Sequence, residues 1–129
     1  MKSLLEHAMQ AAQCAYAPYS NFKVGAAIEL SDGTIVTGSN QETGSYSLTI
    51  CAERVALSSL FHRCPSAVIV RMAVYSPNMP DGIPPCGACR EYISECAARC
   101  GVDIEIIGLP GGGVAKISEL MPFAFTLPK

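Results

Sequence analysis

Two short cysteine motifs constrain this chain more than any other feature of its sequence. The first is CAER, over Cys51–Arg54, and the second is PCGACR, over Pro85–Arg90. Three thiolates can hold one zinc ion and leave its fourth coordination position open, which distinguishes a catalytic zinc site from a closed structural one. The motifs therefore predict Zn²⁺ as cofactor and Cys51, Cys86 and Cys89 as its ligands, in a fold that joins two distant segments.

A glutamate and an arginine complete the first motif. A hard carboxylate such as Glu53 is a poor competitor of sulfur for zinc, but it can move protons as a general acid–base group. Three thiolates outweigh the charge of Zn²⁺, so positive charge beside them is stabilising. Arg54 can supply it, and so can helices that begin at Cys51 and Cys86. We predict Glu53 as the catalytic residue and Arg54 as a support for the sulfur ligands.

Two other interpretations of the cysteines explain less of the sequence. A closed structural site needs a fourth sulfur or imidazole ligand. The remaining cysteines have no neighbouring motif residue: Cys14, Cys64, Cys96 and Cys100. A redox function accounts for the C-x-x-C spacing, but it leaves Cys51 and Glu53 without a role. The motifs therefore favour an open metal site.

Length and charge exclude several classes of function. A chain of 129 residues is predicted to form a single domain, over residues 1–129. The formal net charge is −2 and the nine lysine and arginine residues are scattered, whereas nucleic-acid binding needs clustered positive charge. No apolar stretch reaches the roughly 20 residues that span a bilayer. We therefore expect no nucleic acid and no membrane among the partners.

The N-terminal residues and the cysteine content bear on location. Charged residues come too early for a secretory signal peptide. Seven cysteines without such a signal fit a reducing compartment, so a cytoplasmic location is predicted. Charged residues form only 16% of the chain, against about 25% in typical soluble domains. This shortage indicates surface that is buried between subunits.

Apolar periodicity predicts an alternating order of helices and strands. The predicted helices are Ser3–Ala15, Cys51–His62, Cys86–Cys100 and one turn at Ile117–Leu120, and the predicted strands are Lys23–Leu30, Thr34–Ser39, Ala67–Tyr75 and Ile104–Ile107. The first two strands flank an Asp-Gly turn, which is typical of a hairpin. This order predicts an α/β fold with a mixed sheet, in which an antiparallel hairpin precedes strands joined by helical crossovers.

Three further segments carry a resemblance that covers nearly the whole chain. They are YAPYS at Tyr16–Ser20, GSNQE at Gly38–Glu42 and ELMPFAF at Glu119–Phe125. Together with the zinc motifs, they make the chain similar to the small homotetrameric cytidine deaminases, which use zinc and act on the free nucleoside. The resemblance implies three α-β-α layers around a five-stranded sheet. It also implies hydrolytic deamination of cytidine and 2′-deoxycytidine to uridine and 2′-deoxyuridine, with release of ammonia, in pyrimidine salvage.

The resemblance also implies which residues contact the nucleoside. Asn40 and Glu42 match positions that hydrogen-bond the ribose 3′-hydroxyl, and Phe22 matches an aromatic residue that packs on the base. Ala52 matches a backbone contact to the pyrimidine. Glu53 is expected to carry protons to ring N3 and to the leaving amine.

Subunit-contributed contacts follow from the same resemblance. Tyr46 and Phe125 match positions that reach a neighbouring subunit's site, so a homotetramer with shared active sites is expected. Glu91, Thr43 and Gly44 stand where the family commonly has glutamine, asparagine and alanine. These departures concern substrate specificity rather than the hydrolytic chemistry.

Two alternative functions remain open at this point. A related aminohydrolase, such as a blasticidin S deaminase, shares the zinc motifs but acts on another cytosine compound. A zinc-stabilised binding module without catalysis belongs to a different class. Glu53 and the presence of only three clear ligands favour an enzyme.

Overall fold

One mixed sheet of five strands lies at the centre of the computed structural model, which describes residues 1–128. The strands are β1 (Gly25–Leu30), β2 (Ile35–Ser39), β3 (Ile69–Tyr75), β4 (Glu105–Leu109) and β5 (Gly113–Lys116), in the order β2-β1-β3-β4-β5. β3 and β4 are parallel, whereas the other neighbouring pairs are antiparallel. This arrangement confirms the α/β class and the mixed five-stranded sheet.

Helices cover both faces of the sheet. They are α1 (Leu4–Ala12), α2 (Ala52–Arg63), α3 (Gly87–Cys100) and the short α4 (Ile117–Leu120). On one face, Ala8 of α1 packs against Ala27 and Ala73 of the sheet. On the other face, α2 and α3 cover a larger apolar core. Its fully buried side chains include Ile28, Leu57, Ile69, Met72, Ile93 and Ile106. The three-layer arrangement is therefore confirmed.

Strand direction places the starts of two helices at one edge of the sheet. β2 and β3 both run antiparallel to β1, so they point the same way. The segments that follow them leave from the same edge and lead into α2 and α3. The two cysteine motifs lie at these helix starts.

Close contact between α2 and β2 depends on a glycine. A Cβ atom at Gly38 would lie 2.6 Å from the Ala56 nitrogen and 2.8 Å from the Ala52 oxygen, which is closer than carbon can approach without displacing the helix. The absence of a side chain at Gly38 thus lets the first turns of α2 lie directly on the end of β2. The loop after β2 is consequently held beside Cys51.

Element boundaries differ from the sequence predictions in several places. α1 ends at Ala12 rather than Ala15, because the next residues form single turns in which Cys14 and Ala15 donate to carbonyls three residues back. β1 begins at Gly25 rather than Lys23, and β3 begins at Ile69 rather than Ala67. β5 was not among the strands predicted from periodicity. Its four residues include only one β-branched side chain, and they form an edge of the sheet.

The described part of the chain, residues 1–128, contains no helix of the length and apolar character needed to cross a membrane.

Candidate metal centre and adjoining cavity

Three cysteine sulfurs meet where α2 and α3 begin. The Sγ atoms of Cys51, Cys86 and Cys89 all lie within 4.8 Å of one another, and those of Cys51 and Cys86 are 3.9 Å apart. Sulfurs bound tetrahedrally to zinc at about 2.3 Å lie roughly 3.8 Å from each other. The spacing and the chemistry of this donor set therefore fit a zinc ion without a large rearrangement.

The local backbone explains how the sulfurs are presented. Cys51 is the N-cap residue of α2 and Cys86 is that of α3, both in extended conformation, and neither side chain caps its own helix. Both sulfurs are thus free for another partner at the positive end of a helix dipole, which favours thiolate. Cys89 lies in the first turn of α3 and is fully buried. Its sulfur lies in the same cluster, on the buried side.

Arg54 supports this cluster from within α2. Its Nη2 donates to Cys51 Sγ at 3.5 Å, and its Nε is buried without a hydrogen-bond partner among the described residues. Hydrogen bonds from the Cys89 thiol and from Arg54 hold the pKa of Cys51 at about 5. The hydrogen bond to Cys51 raises the pKa of Arg54. The guanidinium therefore places positive charge where a thiolate cluster needs it.

Glu53 lies in the first turn of α2 and is only 4% exposed. Burial raises the pKa of its carboxyl group above the ordinary value, because a low-dielectric environment disfavours the charged form. Such a shift moves a carboxyl group toward the pH range in which general acid–base groups work. The side chain lines the same cavity as Cys51 and Cys86.

A cavity of about 390 Å³ opens beside the sulfur cluster. The predicted site residues that line it are Phe22, Asn40, Glu42, Cys51, Ala52, Glu53 and Cys86. Residues far apart in the sequence thus line one cavity next to the candidate metal position. Five residues that were not predicted as site residues also line the cavity: Ser20, Val24, Thr49, Ile83 and Pro84. Of these, Ser20 ends the YAPYS segment, which was the only sequence signal near this part of the wall.

Asn40 and Glu42 hold one wall of this cavity in place. Asn40 Oδ1 accepts from the Val24 nitrogen and its Nδ2 donates to the Phe22 oxygen, both at 2.9 Å. Glu42 Oε1 accepts from the backbone nitrogens of Tyr19 and Ser20, both at 3.1 Å, and its Oε2 accepts from the Ser20 hydroxyl. The Ser20 hydrogen bond is the main cause that lowers the pKa of Glu42. Glu42 is therefore an anion at neutral pH.

Two of the predicted substrate-contact residues lie outside this cavity. Tyr46 is 74% exposed and lines an adjacent cavity of about 380 Å³, which shares Ser20, Glu42 and Thr49 with the first. Phe125 is 70% exposed and lines neither cavity. The fold of one chain therefore does not bring Phe125 to the candidate site, and its role remains a prediction about a neighbouring subunit.

Arg90 is a further residue whose contacts converge near the cluster. Its Nε donates to the Pro85 oxygen at 2.8 Å and its Nη1 donates to the Leu120 oxygen at 3.3 Å. These bonds tie the segment just before Cys86 to the end of α4. Arg90 is the last residue of the second cysteine motif, whose spacing alone predicted no role for it.

Comparison with known proteins finds one family to which the whole fold is similar. The family model described as the cytidine and deoxycytidylate deaminase zinc-binding region matches residues 1–102. A cytidine deaminase from Halalkalibacterium halodurans is 41% identical over 126 residues, which cover 95% of this chain and 92% of the relative. Both matches include the segments that carry the sulfur cluster and the cavity.

Solved structures extend the similarity to three dimensions. The crystal structure of cytidine deaminase from Burkholderia pseudomallei gives a TM-score of 0.82 at 38% identity, covering 97% of this chain and 100% of that one. The cytidine deaminase from Mycobacterium tuberculosis gives 0.82 at 35% identity, covering 96% and 95%. The likeness therefore involves almost the full length of each chain.

Proposed function

The chain belongs to the cytidine and deoxycytidylate deaminase family, and from this premise we propose that it is a zinc-dependent cytidine deaminase. Its reaction is the hydrolysis of cytidine and 2′-deoxycytidine to uridine and 2′-deoxyuridine, with release of ammonia. The observation that carries the proposal is the sulfur cluster of Cys51, Cys86 and Cys89 at the wall of a cavity that also contains the buried Glu53. Residues 1–129 act as a single domain.

The sulfur cluster and Glu53 have separate roles in the reaction. Cys51, Cys86 and Cys89 would hold the zinc ion, which would supply a Lewis acid and lower the pKa of water. Glu53 accepts one proton from the attacking water and delivers it to ring N3. It then accepts the second proton from the oxygen added at C4 and delivers it to the amine, which leaves as ammonia. Its burial excludes competing water from the carboxylate. Oxygen thus replaces the exocyclic nitrogen at C4.

The cavity wall orients the nucleoside. Phe22 packs on the base and the backbone of Ala52 contacts the pyrimidine, while Asn40 and Glu42 bind the ribose 3′-hydroxyl. All four residues line the cavity that contains Glu53. Carboxylate and amide oxygens accept hydrogen bonds from hydroxyl groups, which suits a sugar at this end of the cavity.

The charges of the cavity favour a nucleoside over a nucleotide. Among the residues that line it, none is lysine, arginine or histidine, and Glu42 is an anion. The 5′-phosphate of deoxycytidylate would find no compensating cation among these residues, and burying an unpaired charge is unfavourable. We therefore assign cytidine rather than deoxycytidylate as substrate.

A panel of substrates tests the function. Release of ammonia is measured for cytidine, 2′-deoxycytidine, cytosine, deoxycytidine monophosphate and blasticidin S with zinc-loaded protein. The two nucleosides are expected to be converted and the monophosphate to be a poor substrate. Turnover of blasticidin S alone would support the related aminohydrolase instead. No turnover of any compound would support a binding module.

The assembly is proposed to be a homotetramer with shared active sites, in the cytoplasm and in pyrimidine salvage. Exposed apolar side chains support association: Phe123 is 105%, Leu127 is 74% and Phe125 is 70% exposed. Isolated apolar residues are common on surfaces, but a contiguous apolar segment indicates a contact with another molecule. Docking this segment on a neighbour buries it and brings Phe125 to that neighbour's cavity.

Deleting residues 123–129 is expected to lower activity by much more than it lowers zinc content. The deletion removes the exposed apolar segment but leaves the sulfur cluster and Glu53 intact. Sedimentation, elemental analysis and a cytidine assay are made on the same preparations, with Phe125→Ala as a smaller change that retains the chain length. A fully active monomer would contradict both the assembly and the shared site.

A further inference from the structure

We propose that Ser20 is a positioning residue, whose hydroxyl sets the orientation of the Glu42 carboxylate toward the ribose of the substrate. The inference rests on the proposed function, in which Glu42 binds the 3′-hydroxyl. Ser20 lines both the cavity beside the sulfur cluster and the adjacent one. It therefore lies where the sugar end of a nucleoside would be held.

The hydrogen bonds of Ser20 give its hydroxyl one direction. Its Oγ accepts from the Phe22 nitrogen at 3.0 Å and donates to Glu42 Oε2. A serine hydroxyl has one hydrogen to donate and rotates to suit its partners. Because the Phe22 N–H occupies an acceptor position on Oγ, the hydroxyl hydrogen is directed at Glu42. The Ser20 side chain thus connects Phe22, which is proposed to pack on the base, with Glu42, which is proposed to bind the sugar.

The carboxylate of Glu42 is nearly saturated by this arrangement. An ionised carboxylate offers about four acceptor sites on its two oxygens. Three donors occupy it, namely the backbone nitrogens of Tyr19 and Ser20 and the Ser20 hydroxyl. About one acceptor site remains for a ligand hydroxyl, and the Ser20 hydroxyl determines which one. The same hydrogen bond lowers the pKa of Glu42 and keeps it able to accept.

The backbone of the wall is held by other hydrogen bonds besides the one that this hydroxyl accepts from the Phe22 nitrogen. The Asn21 nitrogen donates to the Ala17 oxygen at 3.0 Å, which closes the turn. Asn40 separately holds the Phe22 oxygen and the Val24 nitrogen. Ser20 is exposed, so water can satisfy the groups that its removal would leave. Loss of the hydroxyl is therefore expected to free the Glu42 carboxylate without unfolding the wall.

Variants at Ser20 test this with cytidine and 3′-deoxycytidine. Ser20→Ala is expected to raise KM for cytidine about tenfold, which is typical for loss of one hydrogen bond to a charged group, with little change in kcat. For 3′-deoxycytidine, which lacks the hydroxyl that Glu42 binds, kcat/KM of Ser20→Ala and wild type is expected to agree within about twofold. Ser20→Thr keeps the hydroxyl and is expected to have a KM near that of wild type. Ser20→Val has the shape of threonine without the hydroxyl and is expected to have the raised KM.

Three results would overturn the inference. They are an unchanged KM for cytidine in Ser20→Ala, an equal loss on both substrates, and a Ser20→Thr variant as impaired as Ser20→Val. Thermal unfolding and zinc content are measured for every variant. The threonine and valine variants have the same shape, so their comparison decides the matter even if the alanine variant is unstable.

Binding of the products separates this inference from the proposed activity. Titration calorimetry gives the Kd for uridine and the Kd for 3′-deoxyuridine. The Kd for 3′-deoxyuridine divided by the Kd for uridine reports the Glu42 contact without turnover. A ratio that falls in Ser20→Ala supports the role of Ser20 even if no ammonia is released from cytidine. Ammonia release with an unchanged ratio supports the activity and refutes the role of Ser20. Absence of both binding and turnover refutes both.

Discussion

Replacing Glu53 by glutamine is expected to remove nearly all turnover of cytidine and to leave zinc and ligand binding in place. A positioned acid–base group typically contributes about 10²–10⁴-fold to a rate, and Glu53 is proposed to serve more than one proton transfer, so kcat is expected to fall by at least that factor. Glutamine has nearly the same shape but has no proton-accepting carboxylate. The buried position of Glu53, at 4% exposure, means that bulk water cannot easily take its place.

The measurement compares three quantities in the same preparation. Elemental analysis gives zinc per chain, titration calorimetry gives the Kd for uridine, and ammonia release gives kcat. Glu95→Gln is the matched control, since it makes the same chemical change at an exposed residue of α3 outside the cavity lining. Its kcat is expected to change by less than about threefold, the size of an ordinary surface effect. A zinc-loaded Glu53→Gln protein that retains wild-type turnover would refute the assigned role.

The meeting of the three sulfurs was predictable because its determinants are local. Each motif places a cysteine at the start of a helix, and the N-cap positions of Cys51 and Cys86 confirm this reading. Cys89 follows within one helical turn of Cys86. The parallel course of β2 and β3 then brings both helix starts to one edge of the sheet, which is the usual position of a site in an open α/β sheet.

The opposite wall of the cavity was less predictable because its determinants are not local. Ser20 contacts Glu42, which lies 22 residues further along the chain, and Asn40 contacts Phe22 across 18 residues. Neither contact follows from a periodicity or from a single motif. The resemblance supplied Phe22, Asn40 and Glu42, but it supplied no role for Ser20. The hydrogen-bond network became visible only when the two segments were placed together.

Contacts with another subunit could not follow from the residues of one chain. Low charge content indicated buried surface, but it did not say which residues form it. The exposure of Tyr46 and Phe125 is compatible with their predicted positions at a neighbouring site. β5 was not predicted because an edge strand has only one neighbouring strand and is less enriched in β-branched residues, which are the signal for a strand in the sequence.

Replacing Cys86 by alanine is expected to remove zinc and, with it, the activity. Its sulfur lies 3.9 Å from that of Cys51 in a cluster of only three, so its loss leaves two thiolates, too few for a typical catalytic zinc site. Removing an outer partner of a metal ligand already costs about 10–100-fold in affinity, and loss of a ligand is expected to cost more. Cys86 is exposed and its side chain caps no helix, so the fold itself is expected to persist.

The design separates metal binding from folding. Zinc is measured by elemental analysis after dialysis against a chelator, and thermal unfolding and circular dichroism report the fold. Cys64→Ala is the matched control, because Cys64 is also an exposed cysteine but lies outside the sulfur cluster. It is expected to retain zinc and turnover. Full zinc content in Cys86→Ala would exclude this sulfur as a ligand, and full activity in metal-free protein would refute zinc as the cofactor. Loss of both zinc and turnover with the secondary structure intact would show that the cluster holds the metal and that the metal is required for the reaction.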